Sequence, residues 1–172
     1  PDTNVLVTRF LSPDGVGQVI DFMPVGFRPQ GPCARTVVRR VQVVRGSMEF
    51  RLECRPAFNY ARDDHQVMVD PEGACFHAPG LSLGLSSPFP LKQAGHSVVA
   101  DFTLQEGQLA VFTLQMLELG QDHVVPCTSQ EGSDLFGETV EYWRRWLNTC
   151  TYTGRWRETV DRKSTRLNSS HS

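Results

Sequence analysis

SMEFRLECR, residues 47–55, decides the fold class. Met48, Phe50, Leu52 and Cys54 fall on one side of an extended chain, and Glu49, Arg51, Glu53 and Arg55 on the other. Apolar and charged residues alternating with period two mark an antiparallel strand with one face on a core and the other in water. Just upstream, residues 34–44 are rich in valine and end at Arg45-Gly46, a tight connection that predicts a hairpin between the two runs.

The same logic extends in both directions. Residues 4–11 and 16–23 flank Ser12-Pro13-Asp14-Gly15, where proline presets one turn dihedral and glycine tolerates a positive one, so a hairpin is expected. Val98, Ala100, Phe102 and Leu104 alternate with polar neighbours, Glu106-Gly107 turns the chain, and Ala110, Phe112, Leu114 and Met116 supply a returning apolar face. Shorter strand candidates at 74–78 and 81–85 are punctuated by Pro71-Glu72-Gly73, Pro79-Gly80 and Ser87-Pro88-Phe89-Pro90. Many short strands with frequent turns imply a sandwich or barrel, and two sheets packed face to face avoid leaving a broad apolar face wet.

After Gly132 the period changes. Phe136, Val140, Trp143 and Leu147 fall at i, i+4, i+7 and i+11, with Ser133 or Asp134 as N-cap and Glu141 four residues before Arg145. This predicts one amphipathic helix. Gly154 marks a break, and residues 155–160 read as the opening of another helix. The expected fold is therefore mainly β, an antiparallel β-sandwich followed by a C-terminal amphipathic helix.

Composition narrows the function classes. The net charge is −2, and the arginines sit at alternate positions of strand-like runs, a solvated sheet face rather than a patch for nucleic acid. No stretch approaches the roughly 18 consecutive apolar residues of a membrane helix. Cys33, Cys54, Cys75, Cys127 and Cys150 are odd in number and lack C-x-x-C spacing, so free thiols in a reducing compartment, the cytoplasm, are expected.

Catalytic signatures are absent too. His65, His77, His96, His123 and His171 show no metal-ligand spacing and read as surface or loop histidines. Asp63-Asp64 before His65 suggests either an acid/base pair or, preferably, a solvated turn after Tyr60. No nucleophile elbow, phosphate-binding glycine loop or H-E-x-x-H occurs. Tyr142, Trp143, Trp146, Tyr152 and Trp156 could stack on a sugar, although their helical spacing favours packing.

Four segments together resemble the N-terminal part of glycoside hydrolase family 15, in its bacterial trehalase-like and glucoamylase-like members. They are PDTNVLVTRF (1–10), VIDFMPV (19–25), VVRRVQVVRGSMEFRLECRPAFNY (37–60) and YWRRWLNTCTYTGRWRETV (142–160). The resemblance implies a super-β-sandwich at 1–131, a linker helix and the start of an (α/α)6 barrel at 132–160, and an enzyme that cleaves α-glucosidic bonds with inversion. The family's acid and base are glutamates on barrel loops. Hence no catalytic, cofactor-binding or metal-binding residue is assigned here, and Glu138, Glu141 and Glu158 match linker or junction positions.

The implied partners are the barrel, from the same polypeptide, and the parent enzyme's sugar substrate. The chain is accordingly expected to begin within the sandwich and to be inactive alone. Residues 161–171, DRKSTRLNSSH, resemble a translated sequencing adapter; setting 161–172 aside takes the net charge from −2 to −4. The alternatives are an independent carbohydrate-binding sandwich and an unrelated adhesion sandwich.

Overall fold

The structure, a computed structural model, describes residues 3–25, 35–118 and 120–149. Nine strands and one long helix lie in this part: β1 Leu6–Leu11, β2 Gly15–Phe22, β3 Thr36–Cys54, β4 Gln66–Asp70, β5 Gly73–Ala78, β6 Leu81–Ser86, β7 Lys92–Ala94, β8 Ser97–Gln105, β9 Leu109–Leu117 and α1 Ser129–Leu147. Every named strand pairing is antiparallel. The first layer has the order β1-β2-β3-β9-β6-β5-β4, and β8 with β7 continues from the outer half of β3. The expected mainly β architecture with a C-terminal helix is what the chain adopts.

Two predicted hairpins are not hairpins. Residues 36–54 form one strand of 19 residues that passes straight through Arg45-Gly46. Its first half pairs with β9, Thr36↔Gln115 to Gln42↔Leu109, and its second half with β8, Ser47↔Gln105 to Cys54↔Val98. β8 and β9, predicted to pair with each other, instead run end to end along β3. The reason lies in what glycine at positive φ permits. Gly46 (φ 74°), which is bonded to Glu106, and Gly107 (φ 78°), which is bonded to Val43, lie at the same corner, and together they bend a two-stranded ribbon as paired bulges do. A reversal and a bend use the same residue types; only the partner strand distinguishes them.

Hydrogen bonds hold the bend closed. The Gly107 N–H donates to Val43 C=O (2.9 Å), Val43 N–H to Gln108 C=O (3.2 Å), and Ser47 N–H to Asp14 C=O in the β1–β2 turn (3.1 Å). That turn is the predicted hairpin, with Leu6↔Asp21 through Leu11↔Val16 in register. The ribbon's outer half folds back over the first layer. Room for it comes from Gly17 on β2, where a Cβ would stand 2.8 Å from Met48 Sδ and 3.1 Å from the Phe50 ring.

Between the layers lies the core. Val41, Val43, Phe102, Leu104, Ala110 and Phe112 form one buried cluster, and Phe58, Ala74, Phe76, Leu85, Leu91, Val98 and Ala100 another. Phe89 stacks on Phe102 (4.3 Å between centroids), which stacks in turn on Phe50 (5.5 Å). β4 and the short β7 had no clear periodicity, and both lie at sheet margins, where little burial is demanded of their side chains.

On the other face of the first layer lies α1, which begins earlier than expected. Thr128, not Ser133 or Asp134, is its N-cap: the Thr128 hydroxyl accepts the Glu131 N–H (3.2 Å), and the Glu131 carboxylate accepts the Thr128 N–H (2.8 Å). This capping box satisfies backbone groups that a later start would leave to solvent. Gly132 and Ser133 are therefore already helical. Gly132 presses on Val111, and Leu135 and Phe136 pack against the Ile20, Phe22, Val38 and Val111 cluster. The expected break at Gly154 and the second helix at 155–160 lie outside the described residues.

Candidate functional site

The loop after β3 holds the Asp63-Asp64-His65 candidate. Phe58 anchors it in the core at 4% exposure, and then Asn59, Tyr60 and Ala61 all take positive φ (46°, 59° and 62°). A left-handed backbone costs about 1–2 kcal/mol per non-glycine residue. Local bonds offset part of this: Asn59 Nδ2 donates to Asp63 Oδ1 (3.1 Å), and the Arg62 N–H to Phe58 C=O (3.2 Å). Tyr60 stands at the tip, 92% exposed. Asp63 is thus engaged with Asn59 and Asp64 faces solvent, so the two carboxylates form a turn rather than an acid/base pair.

The structure joins two histidines that the sequence left unconnected. His65 Nε2 lies 2.9 Å from the His96 C=O, which can only accept, so the proton sits on Nε2. Their rings are 5.5 Å apart and edge-on, and His65 also packs on Phe58 (5.1 Å) and Phe76 (5.9 Å). With Met68 and Gln93 they line an open groove between the margins of the two layers. Elsewhere, His77 Nδ1 meets the Ser82 hydroxyl (2.9 Å), and His123 is exposed. His171 lies outside the described residues. Among the described residues, no three His, Cys, Asp or Glu side chains stand close enough to hold a metal.

Inverting hydrolysis of a glycoside needs one carboxyl kept protonated and a second roughly 6.5–9.5 Å away across a bound sugar. Burial is the usual means of keeping a carboxyl protonated. None of the described Asp or Glu side chains is buried. The Glu131 carboxyl is held below its ordinary value by accepting the Thr128 N–H and hydroxyl, the opposite of what a general acid requires. Glu138 and Glu141 are exposed on α1, and Glu158 lies outside the described residues.

The helix aromatics do not form a flat platform. Tyr142 and Trp143 meet at 88° (5.4 Å), and Trp143 and Trp146 at 79° (5.9 Å). Stacking on a pyranose wants coplanar faces, and these rings are edge-on. Tyr152 and Trp156 lie outside the described residues. Beneath α1, Arg40 is 8% exposed, with its guanidinium 4.6 Å over the Phe136 ring and Nη2 3.4 Å from Ser133 Oγ. Its Nε has no partner, and burial lowers its proton affinity. Cys54 and Cys75 are free thiols, and burial pushes both up to about 11, away from nucleophilic use. Cys33 and Cys150 lie outside the described residues.

Among the described residues, no helix is long and apolar enough to cross a membrane. The chain matches no protein-family model. It is similar to proteins named trehalase from Thermoplasma acidophilum (29% identical over 170 residues) and Thermoplasma volcanium (28% over 170 residues). Each alignment takes in 96% of this chain but 28% and 26% of the respective relative. A trehalase from Mycobacterium tuberculosis is 24% identical over 140 residues, 76% of this chain and 20% of that protein. The chain thus spans about a quarter of the length of the curated relatives it matches.

Proposed function

We propose that this chain is the non-catalytic N-terminal sandwich of a family 15 glycoside hydrolase that cleaves trehalose or another α-glucoside with inversion. The observation that carries the reading is similarity to trehalases along 96% of this chain and about a quarter of theirs. A sandwich in which none of the described carboxylates is buried fits a scaffold whose acid and base stand elsewhere. On this reading the sandwich and the helix beginning at Ser129 lead into an (α/α)6 barrel, with the junction at 132–160 and foreign sequence at 161–172. The barrel is the sandwich's partner and holds the sugar. The free thiols of Cys54 and Cys75 support a reducing compartment, the cytoplasm.

The test is an activity comparison. Purified residues 1–160 are expected to hydrolyse neither trehalose nor maltooligosaccharides, whereas the coding sequence from the same source, read past codon 160, should direct an enzyme that does. Turnover by residues 1–160 would sink the proposal.

Tyr60, at 92% exposure on its left-handed turn, favours a second reading as an independent carbohydrate-binding module. Calorimetric titration with trehalose and starch oligomers decides it, because a module binds alone and loses that affinity with Tyr60→Ala.

A further inference from the structure

Strand β1 forms the margin of the first layer and carries few of the usual guards of such a position. Among the described residues it pairs with β2 alone, and its whole length is exposed, with Leu6, Val7, Phe10 and Leu11 between 45% and 82%. Margin strands are ordinarily kept from further pairing by lysine, proline or a bulge. β1 has no lysine or proline, its register with β2 is unbroken, and Arg9 is its one charge.

The turn fixes which backbone groups of β1 face outward. The Ser12 N–H donates to the Gly15 C=O (3.0 Å), and in an antiparallel pair the residues that exchange such bonds alternate with those that do not. Counting back along the register, Phe10, Thr8 and Leu6 turn their N–H and C=O toward β2, whereas Leu11, Arg9 and Val7 turn theirs away from it. The side chains alternate as well. Leu6, Thr8 and Phe10 share the face of Gly17, which lies against Met48 and Phe50 of the second layer. Val7, Arg9 and Leu11 share the face of Ile20, on the α1 side.

We infer that this chain forms a two-fold symmetric dimer in which β1 pairs antiparallel with β1 of a second copy, with Thr8 opposite Thr8 on the axis. The strand is nearly palindromic about that residue. Leu6 comes opposite Phe10 of the second copy and Val7 opposite Arg9, so apolar meets apolar in the narrow pairs and the outward backbone groups of Val7 and Arg9 bond each other. An axis at Arg9 would set like charges directly opposite, and one at Val7 would face Leu6 with Thr8 and leave Phe10 unmatched. Leu11 comes opposite Val5, which packs against the cluster beneath α1 and whose N–H makes only a long bond to Thr3 Oγ1 (3.4 Å). The two β2 strands would stand three strand spacings apart, about 14 Å, so the second layers, each reaching Gly17, stay clear of one another. A six-residue strand contributes far fewer than the roughly 20–30 residues a side of a standard interface, so the dimer is weak and forms with concentration.

Sedimentation equilibrium of the full chain is the test. The apparent mass should rise with concentration from 19.3 kDa toward twice that value and stop there. Val7, exposed and opposite Arg9 of the second copy, offers two substitutions of opposite sign. Val7→Glu sets a carboxylate against that arginine at both symmetry-related positions and should tighten the dimer about three- to tenfold. Val7→Lys should weaken it by a similar factor, and Arg9→Glu added to Val7→Lys should restore it. A merely structural effect at this position would not change sign with charge. A mass that stays at 19.3 kDa up to about 1 mM, assemblies larger than two, or Val7→Glu and Val7→Lys shifting the mass in the same direction overturns the inference. The readout involves no sugar, so it stands apart from the activity assay on which the hydrolase reading depends.

Discussion

Gly46 and Glu106 bind each other twice across the corner of the ribbon: the Glu106 N–H donates to the Gly46 C=O (2.8 Å), and the Gly46 N–H donates to the Glu106 carboxylate (3.1 Å). The pair closes the bend from both sides. Everything in the second layer is placed by the direction in which the two strands leave it.

Gly46→Ala tests that corner. At φ 74° a Cβ would stand 2.1 Å from the Asp14 carbonyl oxygen, so the substitution adds a backbone clash to left-handed strain. We expect a loss of more than about 2 kcal/mol in urea denaturation. Gly80→Ala, at φ 81° in the β5–β6 turn with nothing within 4 Å, should lose only the strain, about 1 kcal/mol. Equal losses at the two positions would mean that the corner has no special role.

Two glycines in α1 predict opposite signs for one substitution. Gly137 faces open space, so Gly137→Ala should stabilise by about 0.5–1 kcal/mol through helix propensity and a less flexible unfolded chain. At Gly132 a Cβ would meet both Val111 γ-carbons at 2.8 Å. A β-branched valine on a strand has little freedom to move aside, so Gly132→Ala should push the helix from the sheet at a net cost of about 1–2 kcal/mol. Thermal denaturation of the two variants reads both signs.

The capping box makes a pH prediction. Glu131 is held below its ordinary value in the folded chain, so its contribution is present above the unfolded carboxylate range and is lost as pH falls through the depressed folded value. Stability followed by circular dichroism between about pH 6 and pH 3 should therefore fall less steeply in Glu131→Gln than in the parent chain. Thr128→Ala removes the other half of the box and should cost about 1 kcal/mol at neutral pH.

Much of the architecture was legible in the sequence, because burial on one side of a strand writes itself as period two. Met48, Phe50 and Leu52 against Glu49, Arg51 and Glu53 identify a half-buried strand without reference to anything else. The β1–β2 and β5–β6 turns were legible for a similar reason, since Pro13, Gly15, Pro79 and Gly80 act on their own backbone. The helix core at Phe136 and Leu147 was legible as well, but its start was not. Thr128 and Glu131 lie before the apolar period begins, and the capping signature T-x-x-E was the signal that could have located it.

The candidate site was less legible. His65 and His96 are 31 residues apart, and nothing local foretells that β4 and β7 bring them together. The left-handed run at Asn59, Tyr60 and Ala61 is also silent in the sequence, because no glycine announces it; the anchored Phe58 and the bond from Asn59 to Asp63 impose it.

By itself the sequence determined the fold class, most strand positions and the charge of each face, all of which follow from residues within a few positions of one another. Only the tertiary structure decided that Arg45-Gly46 and Glu106-Gly107 bend a ribbon instead of reversing two strands. The physical reason is that a glycine at positive φ is compatible with either outcome. The choice falls to the strand that supplies the next hydrogen bond, and for β3 those strands are β8 and β9, more than 40 residues away.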